Sequence, residues 1–216
     1  MRSTPGLLAL ATLLTAAATT ASAQQTVSVY ITNLSKQIVS PPVVASHSWM
    51  VTVVGPGQPA DPALALQAED GDPSALVAAL EADPEVLDVA VGDRMLMPGE
   101  RMILEVEMNG RYNRISATGM LVTTNDGFFG LDGAQVIPNG PNTQRFDVPA
   151  WDAGTEANSE SCAFIPGPPC GNPFQRDTGG AEGFVHIHPG LHGGGDLSVA
   201  EWGWQNPVVR IQIRRN

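Results

Sequence analysis

An antiparallel β-sandwich with two short helices inserted early is the fold this sequence predicts, and three observations lead there. Segments with period-two alternation stand near both ends of the chain, Val27–Thr32 and Val208–Arg214. Turn formers are dense, with 23 glycines and 18 prolines in 216 residues. Helical signals are confined to two short runs, opened by Asp61-Pro62 and Asp72-Pro73. That composition excludes a helical bundle or coiled coil, and a hydrophobic fraction of 43% excludes wholesale disorder.

The elements follow in order. Met1-Arg2, an apolar stretch Leu7–Leu14 and an Ala21-Ser22-Ala23 exit form the pattern of a secretory signal peptide over residues 1–23, which leaves 24–216 as the expected domain. The apolar stretch is about half of what a ~30 Å bilayer core requires, so no transmembrane segment is expected after its removal. Val27–Thr32 is the opening strand. Met50–Val54 is a candidate strand, stopped by Gly55-Pro56-Gly57. Asp61 caps a first helix that Gly71 ends, and a second runs to Ala82, with Leu76 and Leu80 on one face. Val86–Val91, Arg101–Met108 and Ile115–Thr123 are strands, and Asn109-Gly110 reads as a two-residue hairpin turn. Phe184–His188 is another strand. The last, Val208–Arg214, sends Val209, Ile211 and Ile213 to one face and Arg210, Gln212 and Arg214 to the other, as in a sheet with one wet face. Residues 124–180 have weak periodicity and are too long for an idle loop, so short strands or organised loops are expected there.

The formal net charge of −11 disfavours a phosphate-backbone partner and leaves cation binding open. Only two cysteines are present, Cys162 and Cys170. In an exported chain they are expected to close a local disulfide. Two clusters carry the chemistry. In the first, Asp126 lies in a turn before Phe128-Phe129, while Asp152 and Glu156 stand four apart around Gly154. Converging carboxylates repel one another, and a hard cation such as Ca²⁺ reverses that cost; alternatively these acids cap their own turns. The second is His186, His188 and His192, with Glu182 or Asp196 nearby in sequence. Three imidazoles can ligate Zn²⁺ or Cu²⁺, or act as strand-end hydrogen-bonding groups. Phosphate-loop and nucleophile-elbow patterns are absent, and no enzyme activity is expected. Trp202 and Trp204 are expected on one side of a strand.

Taken in order, Ser40–Ala45, Ala68–Pro73, Thr124–Phe129, Pro149–Glu160, Ala181–His188 and Asn206–Ile211 resemble the spondin N-terminal domain family, in its secreted bacterial single-domain form. The Trp-Asp-Ala-Gly-Thr-Glu run at 151–156 is the specific element. The resemblance spans nearly all of residues 26–214. It implies a C2-like β-sandwich with Ca²⁺ held by acids at one end, Asp126, Asp152 and Glu156, where Glu156 replaces the family's Asp. It carries no role for the histidine cluster. The expected function is therefore a secreted or periplasmic, non-catalytic binding or adhesion module, whose partner is an extracellular or cell-surface protein or glycan. The alternatives are a histidine-centred zinc or copper protein, with hydrolase chemistry open to it, or a purely structural envelope protein.

Overall fold

A computed structural model describes residues 25–137 and 139–216; the expected signal peptide, 1–23, lies outside the described residues. The elements run β1 (Gln25–Asn33), β2 (Val43–His47), α1 (Pro62–Asp70), α2 (Ser74–Ala82), β3 (Val86–Val91), β4 (Arg101–Met108), β5 (Arg114–Met120), β6 (Gly127–Gln135), β7 (Thr143–Val148), β8 (Ala150–Asp152), β9 (His186–Ile187), α3 (Val199–Trp202) and β10 (Val209–Arg215). They form two antiparallel sheets, one ordered β4-β1-β10-β7 and the other β3-β2-β5-β6-β8-β9. This is a mainly-β sandwich with two short early helices, as expected.

Alternation decides what each face buries. Val27, Val29 and Ile31 of β1 and Ile211 and Ile213 of β10 meet Val44, Ile115 and Phe129 of the larger sheet in the inter-sheet core. The opposite face of the smaller sheet carries Arg210, Gln212 and Arg214, which stay at least partly exposed. The larger sheet is covered on both faces. Val43, Ala45 and Phe128 point away from the inter-sheet core and pack under Leu64 and Ala68 of α1 and Leu76 and Leu80 of α2. The helix signals read from sequence hold in detail. The Asp61 carboxylate accepts the Ala63 amide, Asp72 accepts that of Ser74, and Gly71 ends α1 at φ 70°.

Four expectations are corrected. Met50–Val54 is not a strand, because the amides of Val53 and Gly55 donate to the Asp132 carboxylate at 2.9 and 3.3 Å instead of to a ladder. Asn109-Gly110 does not close a hairpin. The Tyr112 amide does return to the Asn109 carbonyl at 2.8 Å, but β4 then pairs with β1 and β5 with β2 and β6, so this turn carries the chain from one sheet to the other. The Phe184–His188 strand shortens to the two residues of β9, since Val185 bonds to Gln58 and Gly57. Trp202 lies in α3 and Trp204 follows it in a loop, so the two do not share a strand face. The 124–180 stretch does contain β6, β7 and β8, and Cys162 and Cys170 are disulfide-bonded.

Candidate metal centre

Register across three strands assembles the acidic end of the sandwich. Asp152 of β8 stands opposite Gly127 of β6 on one side and opposite His186 of β9 on the other. Asp126 precedes Gly127, so it arrives beside the same point. The turn before it is held by Thr124, whose hydroxyl donates to the Leu121 carbonyl and accepts the Gly127 amide. The next turn depends on Gly154. Its φ is +68°, and a Cβ there would lie 2.3 Å from the Phe184 carbonyl oxygen. This turn doubles the chain back, so that the amides of Thr155 and Glu156 donate to Asp126 Oδ2 at 2.8 and 3.0 Å.

Asp126, Asp152 and Glu156 are all fully buried (0% exposed). Asp126 Oδ1 and both carboxylate oxygens of Glu156 have no hydrogen-bond partner. Desolvation, joined by repulsion from Asp152, pushes the Asp126 carboxyl up to about 7. Burial pushes Glu156 up to about 8 against the pull of Arg176, whose Nε stands 3.6 Å from Oε1. Asp152 is also raised, again chiefly by desolvation. It is firmly oriented, with Oδ1 accepting the Gly154 amide at 2.7 Å and Oδ2 the Asn158 side-chain amide at 2.6 Å.

The histidines divide by tautomer. His186 Nδ1 lies 2.9 Å from the Ile187 carbonyl, which can only accept, so the ring proton sits on Nδ1. Nε2 is buried without a hydrogen-bond partner and faces Asp152 Oδ1 at 3.6 Å and Glu182 Oε2 at 3.9 Å. His188 is the reverse. Its Nδ1 accepts the Gly190 amide at 3.0 Å, which leaves the proton of the neutral ring on Nε2, 4.0 Å from Asp152 Oδ2. Burial drives His188 down to about 3, so the ring stays neutral and presents N–H, not a lone pair, to Asp152. His192 uses its backbone amide to bind Glu160.

One group with metal-ligand geometry emerges among the described residues. Ligand atoms of Asp152, Glu182 and His186 all lie within 4.8 Å of one another. A tetrahedral centre with bonds of about 2.0–2.1 Å spaces its donors by roughly 3.3–3.4 Å. The 3.6 and 3.9 Å separations from His186 are near that, while the two carboxylates, within 4.8 Å of each other, have to draw together around an ion. The Ile187 carbonyl behind His186 and the two amides behind Asp152 are the outer partners that such a site needs to fix its ligands. Asp126 and Glu156 do not join this group: Asp126 repels Asp152 from beside it, and Glu156 faces Arg176. The sequence had placed Glu182 only as a neighbour of the histidines; its spacing of four residues before His186 was the available signal. Arg176, which also pairs with Glu69 and Asp70, gave none.

The fold and site together define a β-sandwich protein with a His/Asp/Glu cluster able to coordinate a metal ion. No protein-family model and no curated protein matches the chain.

Proposed function

We propose that this protein is an exported metal-binding module whose centre is Asp152, Glu182 and His186, taking a transition-metal ion of the Zn²⁺ or Cu²⁺ type. The observation that carries this reading is the buried Nε2 of His186, which has no hydrogen-bond partner and stands between two carboxylates. An imidazole nitrogen suits zinc and copper, whereas Ca²⁺ takes six to eight oxygens. His186 Nε2 and Asp152 are buried, so Glu182, 33% exposed in its side chain, is the side from which a further donor from solvent or a partner would reach the ion. The role we assign is metal-dependent binding of an extracellular protein or glycan, without turnover.

A second reading has its own support. The orphaned oxygens of Asp126 and Glu156, with the spondin-like motif around them, favour Ca²⁺ at Asp126, Asp152 and Glu156. Calorimetric titration of metal-stripped protein separates the two. The leading reading expects one Zn²⁺ or Cu²⁺ per chain, weakened at least 100-fold by His186→Ala and little by Glu156→Gln. Calcium binding that survives His186→Ala and disappears with Glu156→Gln would replace it. The absence of saturable zinc or copper binding would remove the leading reading.

A further inference from the structure

A cleft of about 530 Å³, whose lining includes none of Asp152, Glu182 and His186, lies between the chain after β1, the loop after β9 and the segment around α3. That volume falls within the range of small-molecule sites. Leu34, Leu191 and Val199 supply apolar wall, and Trp204 supplies a flat aromatic one. Trp204 is held in place from behind. It packs on the inter-sheet core and meets the buried His188 ring edge-on at 4.9 Å between centroids. The platform is therefore rigid before anything binds.

The polar element is Lys36, the only lysine in the sequence. Its Nζ donates to the Ala200 carbonyl at 2.8 Å, which fixes the ammonium at the cleft and occupies one of its three hydrogens. Among the described residues no carboxylate lies within ion-pair distance of it, whereas Arg94, Arg111, Arg145, Arg176 and Arg210 all have acidic partners. In a chain of net charge −11, this cleft thus carries an uncompensated positive charge beside an aromatic face.

We infer that the cleft binds a small organic anion with a flat apolar body, its carboxylate on Lys36 and its rings against Trp204. The anion recovers an ion pair that the chain itself does not supply, and the ring gains area against Trp204 and the aliphatic walls. Gln205 at the rim offers an amide to a second polar substituent. This inference does not rest on the metal reading.

The test uses naphthalene-2-carboxylate and its uncharged analogue naphthalene-2-carboxamide, titrated calorimetrically into the full domain in the presence of a chelator. Saturable 1:1 binding of the carboxylate is expected, at least tenfold tighter than the carboxamide. Lys36→Met keeps the aliphatic stem and should abolish that preference without changing carboxamide binding. Val199→Glu, at an exposed position, should weaken the carboxylate at least tenfold while leaving the melting temperature unchanged. No saturable carboxylate binding, equal affinity for the two probes, or a Lys36→Met protein that still prefers the carboxylate would each overturn the inference.

Discussion

Glu156 and Glu160 sit four residues apart in one buried loop, and their surroundings are opposite. The Glu160 carboxylate takes three backbone amides, from His192, Gly193 and Gly194, the latter two at 2.7 and 3.0 Å. Its own backbone adopts φ +53°, unusual for a residue with a side chain. Neither oxygen of Glu156 has a close hydrogen-bond partner, the Asp177 amide acts on it only weakly, and Arg176 stands 3.6 Å away. A carboxylate fed by three amides is a fastening, here tying the glycine-rich 192–195 loop to the acidic end. A carboxylate without them needs a proton or a cation. His186 and His188 each have Nδ1 engaged by the backbone and Nε2 without a partner; they differ in that Nδ1 donates in His186 and accepts in His188. Of the unpartnered atoms, His186 Nε2 faces Asp152 and Glu156 Oε1 faces Arg176.

The largest effect is expected from removing what both regions share. Gly154→Ala puts a Cβ 2.3 Å from the Phe184 carbonyl oxygen and 2.7 Å from its nitrogen, at a φ that side chains rarely adopt. Backbone on both sides must move, and with it the Gly154 amide bound to Asp152. A loss of about 3 kcal/mol or more in stability is expected, with metal affinity falling in parallel. Chemical denaturation and metal titration of the variant check this. A shift under about 0.5 kcal/mol would mean that the turn does not set the site.

A sharper comparison exchanges the two acids in turn. Glu160→Gln replaces one accepting oxygen with an amide that points hydrogens at N–H donors, and should cost about 2–3 kcal/mol. Glu156→Gln removes a buried charge that only Arg176, 3.6 Å away, offsets, and should leave the metal-free protein as stable or more so above pH 8. Equal destabilisation by both, measured by urea unfolding with chelator present, would erase the distinction drawn between them.

What the sequence made legible was local chemistry. Asp61, Asp72 and Gly71 announce helix ends because capping acts within three residues, and Val208–Arg214 announces a half-wet strand because alternation needs no partner. The proximity of Asp126 to the 152–156 turn was read from a motif; the amides that bind them depend on β6 and β8 pairing, which no short window contains. Asn109-Gly110 misled for the same reason. Its turn forms, but whether the following strand pairs back is decided by β2 and β6, which claim both edges of β5. The tautomers of His186 and His188 were invisible as well, since each is fixed by a backbone group that only the folded loop supplies.

The smallest expected effect is a dependence on pH in the metal-free protein, and its sign can be worked out. Asp126 and Glu156 are raised to about 7 and about 8. From the ordinary carboxylate range up to those values, the folded chain keeps protons that the unfolded chain has released, so stability falls as pH rises. His47 and His188 act oppositely. Burial lowers both, so below about pH 6.5 the unfolded imidazoles take up protons that the folded ones refuse, and stability rises with pH over that span. The two trends offset each other in mild acid. Above about pH 6.5 the histidine contribution is complete, and only the acids still act. Each group contributes at most about 1.4 kcal/mol per pH unit, so a loss of about 2 kcal/mol between pH 6.5 and 7.5 is expected with chelator present. Glu156→Gln should remove most of it, and Glu160→Gln should leave it in place although that protein is weaker throughout. Equilibrium unfolding at four or five pH values checks both. A profile that Glu160→Gln flattens and Glu156→Gln does not would assign the vacant carboxylate to the wrong residue.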